Sequence, residues 1–556
     1  MKYKFLFLAS ICMLLLMSGT ALAAEPINIS SFEDFMAINP TVSSGAEYRL
    51  TGNIDATGKT FTPVGTASDP FKGSFDGQGY TISNITYNSP TTDNVGLFGY
   101  AEDAAISNLS LRNVSFEGNN SVGGLIGWAN NTSINYCSVV NTGSHQISGN
   151  NEVGGFVGRL VSSSISNNYA MGDAKGTGTS VGGFVGYIID TDITSSYAMG
   201  DTEGNIYNVG GFVGYMESSS ISKSYANGNV NGIGNFAGGF VGAMMTNSFI
   251  SESYSNGDVK GTSHLGGFVG YIIDSDIANC YSMGNATGIL QRVGGFVGHM
   301  RSSTIKNSYA AGNADGPSGV GGFVGSAIGT ITDSFYIGEP NSTNTSLGFF
   351  VTPETLKKIA TFKTEGGVVS DSWNITIDPD PNSIWYIDEG MDYPRFYWIY
   401  HPLGPDQGPD SGSGHRTGGG TVVNPSLPPG SSDPSDLNPA ETTKSDPVES
   451  PKPEPPEQSE KNLSLIGLIL MLTAVLIAMT QGYKAAKLNS KGIENPNLIY
   501  QIIIVLAAIA AVIVFFMTSS LGGKIILLGI GGIIIALLFL VQIVLLTKFY
   551  LQKNKK

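Results

Sequence analysis

Short apolar runs alternate with turns rich in glycine and Asx through most of the chain's first 350 residues. The most regular run is Val181-Gly182-Gly183-Phe184-Val185-Gly186. It recurs from Val153, Val209, Ala237, Leu265, Val293 and Val320, and looser copies start at Val95 and Val122. Nine copies thus follow one another at a spacing close to 28 residues. A period of that length predicts stacked supersecondary units, none able to bury its own apolar face alone. The second glycine of each pair defines the repeat: Gly124, Gly155, Gly183, Gly211, Gly239, Gly267, Gly295 and Gly322.

Each motif predicts one strand. A polar turn follows, then a second strand carrying an isoleucine and an aromatic residue four apart, as in Ile165/Tyr169, Ile193/Tyr197, Ile221/Tyr225 and Ile277/Tyr281. Four is an even step, so in a continuous strand both side chains point to one face. Gly-Asp or Gly-Asn turns come next, at Gly172-Asp173, Gly200-Asp201 and Gly228-Asn229, residues that tolerate left-handed conformations. A third, weaker strand leads to the next motif. The expected fold is all-β, a parallel β-solenoid (β-helix) of about nine coils. With ~4.8 Å between coils, these make a rod of roughly 43 Å. Alternation pairs Val181 with Val185 and Phe184 with the glycines, but a bulge at Gly182-Gly183 would change that, so the inward face stays open. Handedness is open as well.

The repeat resembles the GLUG-motif family, named for a Gly-Leu-hydrophobic-Gly core, with Phe in place of Leu in most copies here. The resemblance extends to Phe71-Lys72-Gly73-Ser74-Phe75-Asp76-Gly77 upstream and to Trp385-Tyr386-Ile387-Asp388 with Tyr393-Pro394 downstream. It covers about residues 25 to 400. It implies a large surface or secreted protein that is not itself an enzyme.

The flanks complete the organisation. Lys2 and Lys4, the apolar run Phe5–Met17 and Ala21-Leu22-Ala23-Ala24 predict a secretory signal peptide over 1–24, the run being short for a membrane anchor. Residues 25–94 form an N-terminal capping segment, with a short helix at Ser31–Met36 and Ser30 or Ser31 as its N-cap. A cap is expected because an open solenoid end exposes unpaired strand edges. Residues 95–346 are the repeats, and 347–400 should close the other end with a short helix at Pro353–Lys358 and an aromatic cluster around Trp373, Trp385 and Trp398. A Pro/Gly/Ser-rich linker over 401–462 reads as disordered. Three apolar spans, 463–481, 498–517 and 525–547, each approach the ~20 residues of a transmembrane helix. Lys484, Lys487 and Lys491 after the first span and Lys548–Lys556 after the third share one side, which should be cytoplasmic. The solenoid is then extracellular, on an integral membrane protein whose C-terminus is cytoplasmic.

Residues 25–462 carry 19 basic and 43 acidic residues, a net charge near −24. That disfavours nucleic acid as a partner and leaves an extracellular protein or glycan as the expected ligand class. Cys137 and Cys280 occupy equivalent repeat positions five coils apart, ~24 Å, beyond disulfide reach, and should be free thiols.

No catalytic, cofactor or metal site is expected. None of the five histidines sits in the His-Glu-x-x-His arrangement of the zinc-peptidase domain that the resemblance attaches to some proteins with this repeat. Gly178-Thr179-Ser180-Val181-Gly182 matches a nucleophile elbow, but it overlies the repeat, and Asn208 and Phe236 hold the position of Ser180 in the next coils. The best outward carboxylates are Asp190 with Asp192 and Asp274 with Asp276, three coils or ~14 Å apart, too far for a glycosidase pair. Solvated turns account for them better. Adhesion, recognition or surface architecture is therefore the leading expectation, and a polysaccharide lyase or hydrolase on the same scaffold is the alternative. A transport role is weakened by the scarcity of charged residues within the spans.

Overall fold

A computed structural model describes residues 25–338, 347–363, 373–378 and 380–400. The signal peptide, the 401–462 linker and the three apolar spans lie outside the described residues. Among the described residues no helix is long and apolar enough to cross a membrane.

The coil between the second and third full motifs shows how the sequence folds. It holds five short strands, Thr179–Gly182, Val185–Ile189, Asp192–Thr194, Tyr197–Met199 and Thr202–Gly204, where three were expected. The second and third of these strands end at residues in the left-handed region, Asp190 at φ 50° and Ser195 at 49°. Each pairs in parallel with its counterparts in the coils above and below, in unshifted register: Val185↔Val213, Ile193↔Ile221, Tyr197↔Tyr225. Two large sheets result. The nine motif copies make nine turns, and the capping segment adds a tenth by bridging Val64 to Phe98 and Phe71 to Ala101.

Val181, Phe184 and Val185 are all fully buried. The Gly182-Gly183 pair forms a corner between the first two strands, so alternation does not run through the motif. Phe156, Phe184, Phe212, Phe240, Phe268, Phe296 and Phe323 stack inside the rod at ring spacings of 4.7 to 4.9 Å. The corner admits only glycine. A Cβ on Gly183 would lie 2.2 Å from the carbonyl oxygen of Gly211 in the next coil, and one on Gly182 would lie 2.0 Å from the carbonyl oxygen of Val185. The same overlap recurs along the column at Gly155, Gly211, Gly239, Gly267 and Gly295, each against the next coil's glycine. Gly124 meets Gly155 at 2.7 Å, and Gly322 would meet the ring of Tyr336.

The isoleucine and the tyrosine do not share a face. Ile193 is buried, whereas Tyr197 lies on the outside and Ala198 takes the next inward position. Left-handed Ser195 breaks the strand between them and shifts its phase by one residue. Tyr169, Tyr197, Tyr225, Tyr254, Tyr281 and Tyr309 therefore form an outer ladder, stacked at 4.7 to 5.0 Å.

Both ends are covered. The helix Phe32–Met36 has Ser31 as N-cap and a capping box with Asp34. It places Phe35 edge-on against Phe75 and Phe98, below the internal phenylalanine stack. At the other end the strand Phe349–Phe350 pairs with Phe335–Tyr336. The residues that follow do more than close the end. Trp385, Phe396 and Trp398 fold back along the rod's side onto Tyr281, Tyr309, Tyr254 and Tyr225. Tyr309 Oη donates to the carbonyl of Pro394 at 2.7 Å, and Trp373 Nε1 donates to that of Asp333 at 2.9 Å. The outer tyrosine ladder thus gains a second hydrophobic cluster, separate from the internal one.

Two internal ladders satisfy backbone and hydroxyl groups buried at the corners. In the first, the N–H of Thr132 donates to Ser163 Oγ, Ser163 to Thr191 Oγ1, Thr191 to Ser219 Oγ, and so on to Ser303, at 3.0 to 3.4 Å. Each hydroxyl in turn donates to a carbonyl of its own corner, as Thr191 does to Ile189 at 2.9 Å. The second ladder runs through Asn168, Ser196, Ser224 and Ser253, then through Ser308 and Ser334. Cys137 and Cys280 occupy its remaining positions as buried free thiols.

Candidate ligand-binding face

The chemically varied side chains gather on one outer face. In the second strand of each coil Val185 and Ile188 point inward, and Tyr187 and Ile189 point out. The residue after the motif's last glycine therefore makes an outward column: Tyr100, Trp128, Arg159, Tyr187, Tyr215, Ala243, Tyr271, His299 and Ser326. Beside it runs the left-handed residue that precedes each motif: Ser121, Glu152, Ser180, Asn208, Phe236, His264 and Arg292, at φ between 54° and 64°. Phe236 at φ 64° is the least expected of these, since a bulky side chain has no local hydrogen bond to offset the strain.

The face has two halves of different character. In the first, Tyr100 packs on Trp128 at 5.4 Å, and the Arg159 guanidinium lies between the rings of Trp128 and Tyr187, 4.5 and 4.4 Å from their centroids. Arg159 also pairs with Glu152 at 2.6 Å, so its charge is matched within the face. Tyr187 stacks on Tyr215 at 4.7 Å, and Tyr215 Oη donates to Glu217 at 3.0 Å. Burial, then that hydrogen bond, raises the Tyr215 phenol well above its ordinary value.

In the second half Ala243 interrupts the aromatic column, and Phe236 supplies a ring from the neighbouring one. Phe236 stacks on Tyr271 at 5.0 Å and meets His264 edge-on at 5.0 Å. Tyr271 stacks on His299 at 5.4 Å. Arg292 Nη1 donates to His264 Nε2 at 2.6 Å, which requires a neutral imidazole at that nitrogen. Burial first, then Arg292, then His299 depress His264 to about 4. His299 is lowered by burial and by Arg292. Arg301 projects from the strand of His299, is exposed, and lies beside Ile273 of the previous coil.

The four aspartates lie elsewhere, on the corner between the second and third strands. Asp190, Asp192, Asp274 and Asp276 are all exposed. Asp190 and Asp192 border an open groove of about 670 Å³ together with Lys72 and Asp103, and Asp274 and Asp276 border another of about 540 Å³. Asp192 accepts from the hydroxyl of Ser220, and Asp276 accepts from the N–H of Thr304 at 3.2 Å. Asp190 and Asp274 have φ of 50° and 47°, so each serves a left-handed turn. The structure does not bring the two pairs together: Ser220 and Phe249 stand between Asp192 and Asp276 in the ladder. Ser180 of the elbow-like stretch is buried and accepts from Asn208 Nδ2 at 3.4 Å. Among the described residues no three His, Cys, Asp or Glu side chains converge as a metal site would require.

The aromatic and cationic column was absent from the expectations. Its signal lies in the residue just after each motif, where aromatic, arginine and histidine side chains interrupt a chain otherwise rich in serine and glycine.

The register and the stacked coils define a parallel β-solenoid built on an internal glycine–phenylalanine repeat. The family model described as "The GLUG motif" matches residues 205–231, one coil of the series, and the chain carries GLUG repeats on a β-helix. A 126-residue stretch is 39% identical to halomucin of Haloquadratum walsbyi, covering 20% of this chain and 1% of that protein. The chain thus corresponds to a very small part of that relative's length. Two solved structures are similar at low identity. A candidate immunoglobulin A1 protease from Bacteroides ovatus matches at 16% identity and a TM-score of 0.29, over 55% of this chain and 84% of that one. An IgA1 protease matches at 19% identity and a TM-score of 0.31, over 60% of this chain and 22% of that one.

Proposed function

We propose that this chain is a membrane-anchored protein that presents its solenoid outside the cell for adhesion, recognition or surface architecture. The observation that carries the reading is the closed interior of the rod. The phenylalanine stack is fully buried from coil to coil, so every group able to meet a partner lies on an outer face. The varied residues form an extended stripe along that face, which suits recognition of a partner over several coils. The signal-like N-terminus, the linker and the three lysine-flanked apolar spans support outward display. The halomucin likeness supports the same reading.

Protease added to intact cells should cut in 402–461 and release the solenoid, leaving a protected fragment with all three spans. A tag after Lys556 that is accessible on unbroken cells would refute the topology. The same reading holds that the chain is not an enzyme, and the grooves at Asp190 and Asp274 supply the contrary case. Polysaccharide or peptide turnover that disappears in Asp190→Ala or Asp274→Ala would convert those turn residues into a catalytic site.

A further inference from the structure

The second half of the outer face is a patch of unmatched positive charge on an acidic chain. Its formal net charge is −15. Arg292 and Arg301 nevertheless take part in no ion pair among the described residues, unlike Arg159 one half further along the same face. Arg292 is held by the neutral His264 instead, which fixes the guanidinium and leaves its charge unopposed. His264 and His299 lie with ring centroids 5.6 Å apart, and Tyr271 and Phe236 stack beside them. Because these groups sit on neighbouring rigid strands, successive coils present them ~4.8 Å apart.

We propose that Phe236, His264, Tyr271, Arg292, His299 and Arg301 bind an acidic sugar, with its carboxylate on the arginines and its ring against the aromatic side chains. A guanidinium matches a carboxylate as a planar fork, and Arg301 supplies a second cation two residues beyond His299 on its strand. The aromatic side chains offer apolar surface to the C–H face of a pyranose. The Tyr271 hydroxyl and the imidazoles offer partners for its hydroxyls. A bare carboxylate would use only the cations, and a neutral sugar only the rings and hydroxyls. An acidic sugar uses both sets. Phe236 holds an aromatic ring in this patch at a backbone conformation that its neighbours fill with Asn208 and His264. A ring kept at a strained position beside cations is what such a ligand needs. This deepens the recognition reading above. Its test uses binding by the purified chain and not display on cells, so the two can fail separately.

The purified full-length chain is titrated with trigalacturonate, with maltotriose as the uncharged counterpart and triglutamate as a carboxylate peptide. Saturable binding of trigalacturonate is expected, at least tenfold tighter than that of the other two. Arg292→Gln with Arg301→Gln should weaken it at least tenfold. Arg301→Gln alone, at an exposed position, should weaken it severalfold with an unchanged thermal transition. Lys59→Gln, an exposed cation in the N-terminal capping segment that pairs with Glu33, should leave binding as it is. The proposal is overturned if the wild-type chain fails to bind trigalacturonate, or if maltotriose or triglutamate binds as tightly. Unweakened binding by Arg301→Gln or by the folded double variant also overturns it.

Discussion

The backbone N–H of Cys280 donates to Ser308 Oγ at 3.1 Å, and Cys280 Sγ faces the N–H of Ser253 in the coil before. The thiol therefore does the work of a serine in the inner ladder. It also donates to the carbonyl of Ala278 at 3.3 Å, as Ser308 does to Lys306 at 2.9 Å. Cys137 repeats the arrangement, with its N–H on Asn168 Oδ1 at 2.7 Å.

Replacing this thiol should separate shape from hydrogen bonding. Cys280→Ser should be as stable as the parent or more so, because a hydroxyl is the better acceptor for Ser253. Cys280→Ala leaves that buried N–H unpaired and should cost about 1–3 kcal/mol. Urea titration of both variants checks the order, and equal stability would show that the sulfur contact carries nothing. Both thiols should resist labelling until the chain unfolds. Burial pushes Cys137 up to about 12 from an ordinary 9.0. A raised folded-state value favours the neutral thiol, so its contribution is fully present below pH 9 and is lost as pH rises through about 12.

The glycine column makes a sharper demand. Gly183→Ala would drive a Cβ to 2.2 Å from the Gly211 carbonyl, where neither backbone can yield without disturbing both coils. A loss of about 3 kcal/mol or more is expected, at the upper end for overpacking. Gly52→Ala, with nothing within 4 Å of the new Cβ, should be neutral or slightly stabilising. Thermal unfolding followed by β-sheet circular dichroism distinguishes the two, and a well-tolerated Gly183→Ala would contradict the corner geometry.

The repeat length, the parallel solenoid and the helix capped by Ser31 were legible in the sequence because they rest on periodicity and local capping chemistry. The placement of the tyrosines was not. One left-handed residue per coil separates Ile193 from Tyr197, and that position is filled by Asn167, Ser195, Lys223 and Glu252 in successive coils. Asn favours that conformation, but lysine and glutamate do not, so stacking of neighbouring coils imposes it where propensity gives no signal. The outer face was not legible for a related reason. Glu152, His264 and Arg292 reach it from a left-handed position that alternation cannot assign.

The side-docked C-terminal segment should come away without unfolding the rod. Trp385 is fully buried and packs at 6.0 Å from Tyr309 and 4.4 Å from Phe396. Trp385→Ala should cost about 3–5 kcal/mol of the segment's attachment. Since its cluster is separate from the internal core, limited proteolysis should then cut within 373–400 while the β-sheet spectrum persists. Simultaneous loss of the spectrum would mean that the outer tyrosine ladder is needed for the solenoid itself.

The His264–Arg292 contact predicts a titration. Burial is the larger cause that depresses His264 to about 4, and the Arg292 charge is the second. A folded-state value below the ordinary 6.5 means that the unfolded chain takes up the proton first as pH falls. The neutral pair therefore contributes stability above pH 6.5 that is lost as pH falls toward about 4. Histidine-selective NMR on the full chain should place the His264 midpoint near 4, with His299 also below its ordinary value. Arg292→Gln removes the charge but not the burial, so the midpoint should rise part of the way back toward 6.5. Acidic sugar bound at the patch should raise it too, because a carboxylate beside Arg292 and Arg301 favours the imidazolium. A His264 that titrates at or above 6.5 in the unliganded parent would show that Arg292 does not point at its ring in solution.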